Sequence, residues 1–239
     1  YETVPANLFS LERKDYHGKI VLPGMVDLHL HAPQYAYRGT KMDLPLLDWL
    51  NINTFPEEAK YEDMNYAKAA YKNFVEDLKE SPTTRAVIFA TLHKEATLCL
   101  MDLLENSGLE TMVGKVNMDR NSPDYLTEHS AEESLKNTRE WLEEIPKNYR
   151  HCRPILTPRF TPTCSDELLL GLGKMMEEKG IPLQSHLSEN KAEIAWVSEL
   201  CPGTRNYGES YDRYGLLNHT VMAHCVHTGE EELDLLIER

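Results

Sequence analysis

The chain has 239 residues, a formal net charge of −14 at pH 7, and 41% hydrophobic and 27% charged residues. That composition supplies a core for one large domain or two small ones, and the acidic balance argues against broad electrostatic binding to nucleic acid or an anionic membrane. No apolar run is long enough to cross a bilayer.

The opening Tyr-Glu-Thr-Val-Pro-Ala-Asn carries no signal-peptide pattern and no Met, so the chain is expected to begin inside a longer protein. Five cysteines are scattered without a Cys-x-x-Cys pair. They read as reduced thiols in a cytosolic compartment, and a cysteine-ligated metal is not expected.

Pro23-Gly24 introduces the apolar run Met25 to His31, which reads as a buried strand. Alternation along a strand puts residues i and i+2 on one face. His29 and His31 can therefore meet one spot at the strand's carboxyl end, with Asp27 two residues before. Imidazole suits Zn, Fe, Ni and Cu, and two ligands at fixed spacing begin a catalytic metal site.

Arg38 to Trp49 reads as a loop with a short helix near Leu46–Leu50. Glu57 to Lys79 reads as one helix, with Ala67, Ala70, Tyr71, Phe74, Val75 and Leu78 on its apolar face. Ala86–Ala90 is a second strand leading to His93, and Ala96–Leu104 a helix stopping near Gly108. Thr111–Val116 is a third strand. Ser130–Glu144 is a helix that turns Leu135, Trp141, Leu142 and Ile145 inward.

Arg153–Thr157 is a fourth strand, followed by Pro158-Arg159-Phe160. Ser165 caps a helix that reaches Lys179-Gly180. Pro182–His186 is a fifth strand, with a helix from about Glu189 to Leu200 after it. Thr220–His224 is a sixth, and Thr228 with Glu231 forms a capping box for a last helix.

Repeated strand–helix units mean a parallel sheet, and six in a row suit a (β/α)₈ barrel better than a doubly wound sheet. No glycine-rich phosphate loop follows a strand, which removes most nucleotide-binding readings. A closed barrel takes eight strands and about 250 residues, so the expectation is a barrel without its C-terminal strands over residues 23–239. Residues 1–22 are then a lead-in and the remnant of a small β-domain.

His29, His31, His186 and His224 each close a strand, at the end where a barrel carries its site. His29, His31 and His186 are candidate metal ligands that leave a position open for water. Zinc lowers the pKa of bound water towards 7, and a hydrolytic deamination then needs a residue to carry the proton to the leaving nitrogen. Glu189, three residues after His186, can do so. Alternatively it is a carboxylate favoured by a helix N-terminus.

The Pro23–His31 stretch resembles the opening of the amidohydrolase superfamily. Ser185–Asn190 and Val221–His224 resemble its aromatic-base deaminase branch. His31–Tyr35, Asp43–Leu50, Val113–Asp119 and Thr157–Phe160 resemble the animal-type guanine deaminases, from about Val21 onward.

The resemblance implies a homodimeric hydrolase of purine catabolism that holds one zinc and converts guanine and water to xanthine and ammonia. His29, His31 and His186 would hold the zinc, with iron as the alternative metal. His224 would orient the attacking water and Glu189 would shuttle protons. Gln34, Arg159, Phe160 and His186 would hold the purine. Arg offers a planar fork to a ring carbonyl, Gln a donor and an acceptor, and Phe a stacking face.

The aspartate that the family carries after strand eight is not in this sequence. Asp27 is too close to His29 to replace it, and is expected to orient a histidine or cap the strand. The chain alone is therefore expected to have a defective site. The competing readings are another mononuclear deaminase of the superfamily, acting on adenine-like, cytosine-like or triazine rings, and a non-catalytic binding protein.

Overall fold

Eight strand segments run in chain order: β1 (Met25–His31), β2 (Thr83–Phe89), β3 (Glu110–Gly114), β4 (Val116–Asn117), β5 (Cys152–Pro154), β6 (Thr157–Pro158), β7 (Leu183–Leu187) and β8 (Thr220–His224). The structure is a computed structural model and describes residues 11, 12 and 14–239. Every pairing is parallel.

β3 continues into β4 past Lys115, and β5 into β6 past Ile155-Leu156, so the segments make six strand positions. They pair in sequence order, β1-β2-β3-β5, β4-β6 and β7-β8, and Leu156 bridges to Leu183. Sequential parallel pairing of this kind needs a crossover helix between strands, as the alternating pattern predicts. Among the described residues β1 and β8 are not hydrogen-bonded to each other, so the sheet stays open between them.

β1 departs from the expected buried strand. Met25, Val26 and Leu28 are more than half exposed, because β1 lies at a sheet edge with β2 as its hydrogen-bonded neighbour. It also carries a bulge: Asp27 pairs with Ala86 and Leu30 with Ile88, so three steps on β1 oppose two on β2. Such a bulge re-aims side chains. The Asp27 carboxylate accepts the His29 backbone N–H at 3.1 Å within it.

The helices are α1 (Leu46–Trp49), α2 (Phe55–Ala59), α3 (Met64–Glu80), α4 (Lys94–Glu105), α5 (Ala131–Glu144), α6 (Asp166–Lys179), α7 (Lys191–Leu200), α8 (Gly208–Asp212) and α9 (Glu230–Glu238). The single helix expected over Glu57–Lys79 is two. Asp63 leaves helical geometry and its carboxylate caps α3 by accepting from Asn65 N–H, a local bond that outcompetes helix continuation. Ser165 and Gly180 bound α6 as predicted, the glycine at φ 63°.

The Thr228–Glu231 capping box does not form. Gly229 is the N-cap of α9 without a side-chain bond, and Thr228 Oγ1 is buried without a partner among the described residues. The box that does form is Asn190 with Glu193 at the start of α7.

Apolar faces of α3, α4 and α5 pack on β1–β3 through Tyr71, Phe74, Leu100, Leu104 and Trp141. α6 packs on β7 through Leu168, Leu172 and Met175. Each such leucine contributes roughly 1.5–3 kcal/mol by leaving water. A third cluster, Leu50, Phe55, Phe89, Val116, Met118, Leu126 and Phe160, fills the space under the strands' carboxyl ends and forms the floor of the site. Residues 1–10 and 13, on which much of the expected β-domain remnant falls, lie outside the described residues. Residues 14–24 carry no strand.

Candidate active site

A cavity of about 570 Å³ opens at the carboxyl ends of β1, β6, β7 and β8. His29, His31, Gln34, Arg159, Phe160, His186, Glu189 and His224 all line it. The structure therefore brings these eight candidate site residues together. His93 is not brought there: it precedes α4, and its Nε2 is buried without a partner among the described residues.

His29, His31 and His186 each offer one ring nitrogen, all within 4.8 Å of one another. The His31 and His186 Nε2 atoms approach to 3.0 Å. His186 Nδ1 lies 2.6 Å from the Arg159 carbonyl oxygen. A carbonyl only accepts, so Nδ1 carries the proton and Nε2 presents its lone pair.

Among the described residues the Nδ1 atoms of His29 and His31 are buried without a partner. Buried polar atoms left unpaired are costly. Three imidazoles converging with unpaired nitrogens are a donor set that fits a divalent transition metal. Burial also pushes the His29 pKa down to about 4 and those of His31 and His186 well below the usual imidazole value, so all three are neutral, as ligands must be.

The Amidohydrolase family model matches residues 20–239. The chain belongs to the amidohydrolase family. It is similar to the guanine deaminase of Dictyostelium discoideum, at 45% identity over 224 residues, covering 93% of this chain and 50% of that protein. The Homo sapiens guanine deaminase is 40% identical over 227 residues, again covering 93% and 50%. Among solved structures, a guanine deaminase from C. acetobutylicum with guanine bound in its active site superposes with a TM-score of 0.95. It is 46% identical, over 99% of this chain and 57% of that one. The chain spans about half the length of the curated relatives it matches.

In this amidohydrolase the turn after β7 carries the candidate acid–base group. Ser188 adopts φ 49°, a left-handed conformation that costs a non-glycine residue energy. The turn is pinned on several sides. Glu193 Oε2 accepts the backbone N–H groups of Glu189 and Asn190, both at 3.1 Å. Ser188 Oγ donates to Glu232 at 2.8 Å, and the Ser188 carbonyl accepts His227 N–H at 2.9 Å. His224 and Cys225, at the end of β8, are left-handed as well, at φ 72° and 53°.

Glu189 Oε2 lies 3.4 Å from His224 Nε2. Burial, helped by the neighbouring Glu193 carboxylate, pushes the Glu189 pKa up to about 7. Burial lowers that of His224. At neutral pH the contact thus joins a carboxyl poised to gain or lose a proton and a neutral imidazole, rather than a fixed ion pair.

Arg159 and Phe160 follow β6. Phe160 is 4% exposed and meets Trp196 edge-on at 6.4 Å. Arg159 is 2% exposed, and its Nη1 donates to both carboxylate oxygens of Glu58 at 2.9 and 2.7 Å. Glu58, on α2, is fully buried. The sequence does not mark it, because Pro56-Glu57-Glu58 looks like a solvated helix start. The available signal was indirect: an arginine placed in a cavity wall needs a carboxylate. Glu193 is a second such residue, and its signal is the capping box Asn190-Lys191-Ala192-Glu193.

Among the described residues no helix is long and apolar enough to cross a membrane.

Proposed function

We propose that the protein carrying this chain deaminates guanine hydrolytically to xanthine and ammonia, with zinc as its metal. The observation that carries this reading is the convergence, on one cavity, of three neutral histidines, the Glu189–His224 pair and the Gln34, Arg159 and Phe160 wall. The 40–46% identity to guanine deaminases supports it.

His29, His31 and His186 would hold the zinc, which when bound supplies Lewis-acid activation of a water. Arg159 donates to the carbonyl oxygen of the purine, Gln34 pairs with the ring edge, and Phe160 packs on its face. The His186 ring borders the purine as well. His224 orients the attacking water. Glu189, with a pKa near neutrality, accepts a proton from that water and delivers it to the ring nitrogen beside the amino-bearing carbon. A C–O bond forms, Glu189 then carries the remaining hydroxyl proton of the adduct to the amine, and as the C–N bond breaks the ring C=O forms and ammonia leaves.

The same reading makes the protein a cytosolic homodimer of purine catabolism, in keeping with the five cysteines, which are free. It makes residues 1–22 a lead-in and the remnant of a small β-domain, and 23–239 a partial barrel. The test is guanine turnover by the full-length protein with zinc supplied, followed as xanthine in the ultraviolet, with adenine and cytosine compared. Guanine preference is expected, and preference for adenine or cytosine would overturn the reading.

A further inference from the structure

We infer that Glu58 is the positioning residue that aims Arg159 at a ring carbonyl, and so sets the preference of the site for oxo-purines over purines that lack that oxygen. The inference rests on the deaminase reading above and deepens it. A fully buried carboxylate and a guanidinium buried except where it meets the cavity face each other between α2 and the end of β6. Both Glu58 oxygens take their bonds from one guanidinium nitrogen, Nη1. Among the described residues Nε and Nη2 have no protein acceptor, and neither is sealed in the interior, while Arg159 lines the cavity. The ring of Phe55, on the same helix as Glu58, lies 5.2 Å from the guanidinium carbon. The pair thus fixes one corner of a planar fork and leaves its other donors for a ligand.

The cost of that arrangement argues for a role in recognition. An apolar pair of similar volume would hold α2 to the strand end at least as well, because burying two charges is expensive even when they meet. Arg159 without Glu58 would be an unpaired buried cation, free to rotate towards solvent or to attract any anion. With Glu58 the pair is neutral overall and presents donors to an uncharged carbonyl. α2 also continues directly from the Leu50–Thr54 turn and from α1, whose Leu46 and Trp49 face the cavity. The conspicuous Asp43–Leu50 motif is thereby fastened over the site by the same ion pair.

The experiment compares kcat/KM for guanine with that for 2-aminopurine, which has the amino group to be lost but no ring oxygen. It uses full-length wild type, Glu58→Gln and Glu58→Asp. Glu58→Gln is expected to lower the guanine value about 10- to 100-fold, mostly through KM, and to leave 2-aminopurine within about threefold. The guanine preference then narrows by the same factor. Glu58→Asp, which keeps the charge, restores part of it.

A purely structural role would lower both substrates together, and that outcome overturns the inference while leaving the deaminase reading intact. No guanine turnover by wild type overturns both. Where Glu58→Gln does not fold, the charge-free pair Glu58→Met with Arg159→Met takes its place. It is expected to fold with the narrowed preference, and a folded pair with wild-type preference overturns the inference.

Discussion

The backbone carbonyl of Arg159 accepts the Nδ1–H of His186 at 2.6 Å, so one residue of the cavity wall both faces the substrate space and orients a metal-ligand candidate. Its N–H is in turn held by the Asn117 carbonyl at 3.2 Å. The Asn117 side chain donates to Ser134 and Thr138 at 2.8 and 2.7 Å. A chain of hydrogen bonds thus runs from α5 through β4 and β6 to His186. Partners of this kind fix the tautomer and ring plane of a ligand histidine.

His186→Ala should abolish metal binding rather than merely slow the reaction. Two remaining imidazoles are too few for a catalytic site of three protein ligands. Zinc per chain, measured by elemental analysis after dialysis, is expected to fall at least about tenfold, with guanine turnover falling at least about a thousandfold. Treatment of wild type with a chelator should reproduce the activity loss, and zinc should restore it in wild type alone. A variant that keeps full zinc would remove His186 from the ligand set.

The strand order and the four strand-closing histidines were legible because they rest on periodicity and position, which are local. Asp63 was not, since its choice of capping over helix continuation depends on a bond to Asn65 worth little more than the alternative. Nor was the bulge in β1, since register is a property of two strands. Glu58 and Arg159 lie 101 residues apart, and nothing local marks either as a partner. The long-range electrostatics of the cavity wall were therefore the part of the site that the sequence hid.

Lys115 should behave as a structural cation. It interrupts the strand between β3 and β4 with a fully buried side chain that donates to Glu128 at 2.7 Å and to the Val116 carbonyl at 3.2 Å. Lys115→Met leaves Glu128 buried without its cation, at a cost of about 3–5 kcal/mol. Adding Glu128→Leu should recover most of that loss. Chemical denaturation of the two singles and the double would show the coupling, and additive losses would dissolve the pair as a unit.

Tyr211 ties three backbone segments together under the site. Its hydroxyl accepts Thr161 N–H at 3.1 Å, donates to the His186 carbonyl at 2.9 Å, and lies 2.9 Å from Ser185 Oγ. Tyr211→Phe removes one oxygen and leaves a buried N–H and a carbonyl unpaired. The expected loss is about 1–3 kcal/mol by denaturation, with a weaker hold on zinc, because the strand that carries His186 loosens. Unchanged stability would mean that the network repairs itself around the missing oxygen.

Glu189 should serve function at the expense of stability. Its carboxyl binds a proton more tightly in the folded chain, at about 7, than an ordinary carboxyl at 4.5. Between those values the folded state holds the extra proton, so stability falls as pH rises through the window and stays lowered above it. The difference corresponds to roughly 3 kcal/mol at pH 8. Glu189→Gln removes the titration. The metal-free variant should match metal-free wild type near pH 4 and exceed it by up to that amount at pH 8, measured by urea denaturation. Guanine turnover should fall about 10²–10⁴-fold with zinc content unchanged, the size expected for a lost proton-transfer group. Wild-type kcat/KM should fall below neutrality as the carboxylate is protonated, and that acid limb should vanish from the residual activity of the variant. An acid limb that survives the substitution would assign it to another group.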